Sequence, residues 1–354
     1  MLQLPNSKDL PIGILTGCFG STVATYKFYW FLSIIEAVES GKTTIDKKEI
    51  FIKMVANAWY TVNYFKVSFG KADKIEEVIK AIKKIEKLDI DLERSIIEKR
   101  LLNSSLNETE KLLKHFDKNV PHWFLSGWFP SKSEIETEKK TDTEKVKIIY
   151  ELSQQFGNQC LYALYKDRIE INPDWVDYLK LNSGILKGFC YWNLSLFLQV
   201  RNPNVPDIPN KLIKSPTRKS LDKFKKGFWD IVINELGSIP CIYSEKELGI
   251  GDYVVDHFVP HAFVSHDLIW NLIPADKEAN GKKSDKLPQL KKHFDGFYKL
   301  QETAFEIVKN HKASKAIFED YLTVFPKSIW DKTKLEDTIE PLITIAHNNG
   351  FQYL

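Results

Sequence analysis

The chain has 354 residues, 43% of them hydrophobic and 27% charged, which excludes a disordered chain and leaves room for two or three buried cores. Its formal net charge of +3 announces no polyanion partner from the field of the whole molecule, so nucleic acid would have to bind local basic patches. Cys18, Cys160, Cys190 and Cys241 are far apart and form no CxxC pair, which argues against a cysteine-held structural zinc and suits a reducing cytoplasm.

The N-terminus, MLQLPNSKDLPIGILTG, lacks a basic stretch followed by an apolar one, so no secretory leader is expected. YKFYWFLSIIEAV (26–38) is shorter than the roughly 20 apolar residues a bilayer requires and contains Lys27 and Glu36. It predicts a buried aromatic helix over 25–39 and no membrane association. Asp46 and Glu49 have capping-box spacing ahead of an apolar helix over 50–65. Ile75, Val78, Ile79, Ile82 and Ile85 fall at helical spacing with Lys and Glu between them, an amphipathic pattern. Short helices follow over 92–102 and 108–116.

SKSEIETEKKTDTEKVK (131–147) is nearly all polar and reads as an exposed loop or a domain boundary that runs into a helix. CLYALY (160–165) and DRIEIN (167–172) predict a hairpin. ILKGFCYWNLSLFLQV (185–200) is apolar almost all round and predicts a buried helix stopped at Asn202–Pro203. These elements give residues 1–200 as a mainly helical accessory or recognition domain. Residues 201–232 follow as a proline-bearing linker and a basic stretch. That stretch, KLIKSPTRKSLDKFKK from Lys211 to Lys226, has seven Lys or Arg against one Asp. It is either a solvated helix face or a phosphate-contacting surface.

From 239 onward the pattern changes. IPCIY (239–243) and YVVDHF (253–258) read as strands, DLIWNLIP (267–274) as a third extended run, and KEANGKKSDK (277–286) as a helical turn. Polar residues collect where these pieces meet: Asp256, His257, Asn271, Asn280 and Lys283. In VDHFVP, WNLIP and NGKKSDKLP, the spacing His257-x13-Asn271-x8-Asn280 resembles that of the HNH endonuclease family, and in particular the HNH domain of RNA-guided CRISPR nucleases. The resemblance spans 239–288. It departs from relatives that carry CxxC pairs, since Cys241 has no partner there and no structural zinc is expected.

The helical patterns of the N-terminal region, joined to the core that the resemblance implies, give an α+β fold, mostly α-helical: a helical N-terminal region followed by a small ββα-metal core with flanking helices. The nuclease domain is expected over 233–330 and a C-terminal tail over 331–354. It implies a metal-dependent endonuclease that hydrolyses DNA, with bacterial defence or restriction as its setting. The alternatives are an inactive nucleic-acid-binding or scaffold module on the same fold, or an RNase. Phosphodiester hydrolysis needs an activated water, charge stabilisation on the phosphoryl oxygens and help for the leaving oxygen. His257 is expected as general base, with Asp256 and Asn280 as ligands of one Mg²⁺ or Mn²⁺. Asn271 would hold the His257 loop through a side-chain to main-chain hydrogen bond, and Lys283 would contact phosphate. DNA is expected on the basic stretch and in the cleft, and a protein partner or second copy on the helical region. His261 and His266 read as structural, because Pro260 argues against a helix that would pair His257 with His261. Phe258 and Trp270 read as core.

Overall fold

The computed structural model describes residues 3–20, 22–129, 141–213, 220–309, 311, 315–327 and 329–354. Among the described residues helices dominate and three small sheets accompany them, so the fold is α+β and mostly helical. Among the described residues, no helix is long and apolar enough to cross a membrane. The chain divides into two compact units, Met1–Pro203 with Lys211–Ile213, and Asn204–Asn210 with Lys214–Leu354.

The first unit is built on α1 (Tyr26–Glu39), whose aromatic side chains are buried on nearly every face. The strand β1 (Thr44–Asp46) leads into α2 (Lys47–Asn63), and α3 (Ile75–Glu86), α4 (Arg94–Leu102) and α5 (Asn107–Lys114) follow. In α3 the residues Ile75, Val78, Ile79 and Ile82 are buried and the lysines and glutamates face out, as the helical period requires. Asp46 precedes α2 but makes no side-chain cap, and Glu49, the other half of the expected capping box, pairs with Lys42 at 2.7 Å. The expected hairpin forms: β2 (Tyr162–Leu164) pairs antiparallel with β3 (Arg168–Ile171), and β1 adds to the far side of β3. Trp30 Nε1 donates to the Tyr162 hydroxyl at 2.9 Å, which donates in turn to the Pro121 carbonyl at 2.6 Å, so the polar atoms of these two buried aromatic side chains are both satisfied.

The region 131–147 lies partly outside the described residues; its remainder runs into a helix, as expected (Asp142–Ser153), opened by a Thr141–Glu144 capping box. The apolar run at 185–200 does form a long helix, α6 (Ser183–Arg201), stopped by Asn202 as expected. It is not buried all round. Ile185 and Val200 are 55% and 79% exposed, and Trp192 and Leu196 share that outward face.

In the second unit α7 (Asp230–Leu236) leads to a two-residue hairpin of β4 (Ile239–Pro240) and β5 (Glu247–Leu248). Then come β6 (Val254–His257), the single turn α8 (His261–Val264), β7 (Leu272–Ala275) and α9 (Lys277–Lys283). The run 267–274 is not extended throughout: Ile269–Asn271 forms a 3₁₀ turn before β7 begins. The long helix α10 (Leu290–Val308) buries Phe294, Phe297, Leu300, Ala304, Phe305 and Val308 along one stripe. Residues 331–354 hold a further helix, α11 (Lys332–Asn348), which buries Leu335, Ile339, Ile343 and Ala346.

Candidate active site

β6 and β7 pair antiparallel in the register Val254↔Ala275, Val255↔Pro274, Asp256↔Ile273 and His257↔Leu272. The Phe258 amide donates to the Asn271 carbonyl at 2.8 Å, extending the ladder by one residue. Beyond it the main chain of Val259 is held by a side chain. The Asn271 Oδ1 accepts from the Val259 amide at 2.8 Å, and its Nδ2 donates to the Val259 carbonyl at 2.9 Å. A fully buried amide thus replaces two lost ladder bonds where Pro260 ends the strand. The long helix supports this corner. Phe297 stacks on Phe258 with centroids 3.9 Å apart, and Gln301 donates to the Ile269 and Leu272 carbonyls at 3.1 and 2.8 Å.

Neighbours on a strand face opposite ways. Asp256 and His257 accordingly meet different partners. The Asp256 carboxylate accepts from the Tyr243 hydroxyl at 3.1 Å and pairs with the Lys283 ammonium at 3.1 Å. Both charged side chains are buried, at 6% and 0% exposure. Lys283 also donates to the His257 carbonyl at 2.7 Å. Burial first, and then the Asp256 charge, push the Tyr243 phenol well above its ordinary range, so it stays protonated and donates.

This corrects the expectation for Lys283. Its ammonium is enclosed by protein and committed to Asp256 and a main-chain oxygen, so it does not reach out to a substrate phosphate. Helix α9 puts it there. Asp276 caps the first turn through the Ala279 amide at 3.1 Å, and Lys282 and Lys283 occupy the last turn, where cations suit the helix dipole. Asn280 lies one turn before Lys283 and is partly exposed. Among the described residues no hydrogen bond joins its side chain to Asp256 or His257.

His257 faces the second group. Its Nε2 is 2.9 Å from Asp267 Oδ1, and the His261 Nε2 is 3.9 Å from the same oxygen. Chiefly the hydrogen bond from His257 holds the Asp267 carboxyl below its usual range, with partial burial opposing it. An ionised Asp267 can only accept, so His257 Nε2 is the donor in this bond. His257, His261 and Asp267 each offer one donor atom, all within 4.8 Å of one another, which makes them a group able to hold a metal ion.

Asp267 carries no role in the sequence reading, and His261 reads there as structural. The reason is local geometry. Pro260 does not sit inside a helix but caps α8, which begins at His261. Ser265 then adopts a left-handed conformation (φ 59°), which reverses the chain and returns Asp267 to His257. His266 does not join the group; its ring lies against Trp270, centroids 5.3 Å apart. Trp270 and Phe258 are core, as expected.

The basic stretch is divided. Lys211 is fully buried, its ammonium 6.0 Å from the Phe65 ring centroid, and so cannot contact phosphate. Lys214, Arg218 and Lys219 lie outside the described residues. Lys225 donates to the Tyr253 carbonyl at 2.9 Å, while Lys223 and Lys226 are exposed. The positive charge of Lys223 reaches Asp267 and helps keep it ionised.

Neither curated proteins nor solved structures give a match to the chain. The segment 241–289, which contains Tyr243, Asp256, His257, Asp267, Asn271 and Lys283, matches the family model of HNH endonucleases.

Proposed function

We propose that the second unit is a metal-dependent endonuclease that hydrolyses DNA phosphodiester bonds with His257 as general base. The observation that carries this is the 2.9 Å bond between His257 Nε2 and Asp267, within a segment that matches the HNH endonucleases. In this reading the ionised Asp267 favours the neutral tautomer with its proton on Nε2, which leaves Nδ1 to accept a proton from water. The water oxygen bonds to phosphorus, the P–O3′ bond breaks, and the 3′ oxygen leaves as a hydroxyl after taking a proton from solvent. The ends are a 5′-phosphate and a 3′-hydroxyl.

The donor chemistry fits a hard divalent cation. The Asp256 carboxylate has about four lone-pair positions and spends part of them on Tyr243 and Lys283. The Asn280 amide oxygen lies on the helix that follows β7. Asp256 and Asn280 would hold Mg²⁺ or Mn²⁺, which supplies charge stabilisation at the phosphoryl and leaving oxygens when bound. Lys283 then acts as a positioning residue, neutralising Asp256 and anchoring the His257 carbonyl. Asn271 holds the chain that carries His257. Lys223 and Lys226 provide exposed cations for the DNA backbone. Bacterial defence or restriction is the setting we propose, with the helical unit recognising a partner, a second copy or a signal.

The test is direct. Purified protein with Mg²⁺ or Mn²⁺ is expected to nick or cut supercoiled plasmid, and His257→Ala to lower the rate by about 10²–10⁴-fold, the usual share of a general base. Equal cleavage by both proteins would defeat the assignment. A parallel RNA digest decides the substrate, and a plasmid retarded but never cut by the wild type would instead identify a binding module.

A further inference from the structure

We propose that His257, His261 and Asp267 form a second metal site, selective for zinc-class ions, whose occupation takes the histidine away from water activation. The claim concerns a different donor set from the oxygen atoms assigned to Mg²⁺. Two imidazoles and one carboxylate suit Zn²⁺, Co²⁺ or Ni²⁺, whereas Mg²⁺ prefers oxygen ligands and keeps its waters. Three protein ligands also leave a fourth position open.

The distances support convergence. A tetrahedral ion with nitrogen and oxygen ligands at ~2.1 Å holds its donors roughly 3.4 Å apart. The observed separations of 2.9 Å for His257 to Asp267 and 3.9 Å for His261 to Asp267 lie on either side of that value. The two rings meet edge to face with centroids 5.1 Å apart. Small rotations of the two rings bring all three donors into range.

The frame that holds them is stiff on one side and adjustable on the other. His257 is fixed by the β6–β7 ladder, by the Asn271 clamp and by Lys283 on its carbonyl. His261 opens the short α8 turn and keeps 20% of its side chain exposed, which gives an ion a route in from solvent. Binding at Nε2 requires the neutral ring to carry its proton on Nδ1 instead, so the ion takes the Nε2 lone pair and no proton is lost from the ring. A ring held in this way has no lone pair on Nδ1 with which to accept a proton from water. Zinc therefore antagonises magnesium-supported cleavage without competing for Asp256.

The site and its consequence are tested separately. In the first arm, full-length protein competes with a chromophoric chelator for Zn²⁺, and Co²⁺ is added to follow visible absorption. The wild type is expected to bind one ion, with a four-coordinate Co²⁺ spectrum that lacks thiolate bands. His261→Ala and Asp267→Asn each weaken binding at least about tenfold, and His266→Ala does not. Asp267→Asn keeps a hydrogen-bond partner for His257, and circular dichroism checks that each variant folds; should Asp267→Asn not fold, the solvent-accessible His261→Ala decides. Equal zinc affinity in wild type and His261→Ala overturns the site.

The second arm rests on the proposed role of His257. Micromolar Zn²⁺ is expected to suppress Mg²⁺-supported plasmid cleavage, and the half-inhibitory concentration rises at least tenfold in His261→Ala. Zinc that binds as in the first arm yet leaves cleavage unchanged would overturn the inhibitory role, and with it His257 as base, while the metal site stands.

Discussion

Each unit of the molecule buries a lysine against a carboxylate and a tyrosine, and the two arrangements differ in what surrounds them. In the helical unit the Lys47 ammonium donates to Asp117 at 2.9 Å, to the Tyr150 hydroxyl at 2.5 Å and to the Lys166 carbonyl at 3.4 Å. Asp117 is 36% exposed and lines an open cavity of about 620 Å³ with His122 and Trp123. In the other unit Lys283 and Asp256 are both enclosed, beside a histidine bonded to a second carboxylate. The same three residue types therefore make a solvent-screened contact in one place and a closed charge pair in the other.

Cutting the lysine from each should separate them. Lys283→Met leaves a buried carboxylate without its counter-charge and is expected to cost about 3–5 kcal/mol. Lys47→Met leaves Asp117 able to hydrate, and the expected loss is about 1–2 kcal/mol. Urea unfolding of the full chain, followed by probes in each unit, measures both. Adding Asp256→Asn to Lys283→Met should recover most of the loss, because the unpaired charge is then gone. Equal losses for the two single variants would break the comparison.

The sequence reveals one of these groups and hides the other for a simple reason of distance along the chain. Asp256, His257, Asn271 and Lys283 lie no more than 27 positions apart, so their spacing is itself a signal and the family pattern can be read off it. Lys47 and Tyr150 are separated by 103 residues, and only the packing of the first unit joins them. Within the legible segment the failures are also physical. Asp267 depends on a left-handed Ser265, a conformation that no residue type there advertises. The direction of Lys283 depends on its burial, which an outward-looking helix pattern of KEANGKK does not announce. The exposed face of α6 was masked by its composition, since Ile185, Trp192, Leu196 and Val200 look like core in a one-dimensional count.

The clamp at Asn271 offers a smaller but cleaner test of the second unit. Its amide satisfies both the amide and the carbonyl of Val259. Asn271→Ala strands two buried main-chain groups and should lower stability by about 2–4 kcal/mol. Asn271→Asp keeps the acceptor and loses the donor, so it should fall between the two. A general-base role for His257 adds a second expectation: kcat for plasmid cleavage should fall in Asn271→Ala by more than substrate affinity changes, since the substitution loosens the base and leaves Lys223 and Lys226 in place. Loss of affinity alone would point to Asn271 as a fold residue with no bearing on the chemistry.

The histidines sharpen the comparison last. His257 is bonded to an ionised carboxylate, whereas burial lowers the pKa of His122 in the first unit to about 4, with Asp117 opposing and Lys47 adding to the shift. The sign follows from linkage. A histidine whose folded pKa lies below its ordinary value is bound to its proton more readily in the unfolded chain. The first unit should therefore keep its full stability above pH 6.5 and lose it steadily as the pH falls toward about 4. The loss from this one group is at most roughly 3 kcal/mol. His122→Gln removes the titration, so the difference in unfolding free energy between wild type and variant should shrink or reverse across that interval. A pH-independent difference would mean that His122 is not held neutral by burial, and that the cavity beside Asp117 admits enough water to solvate an imidazolium.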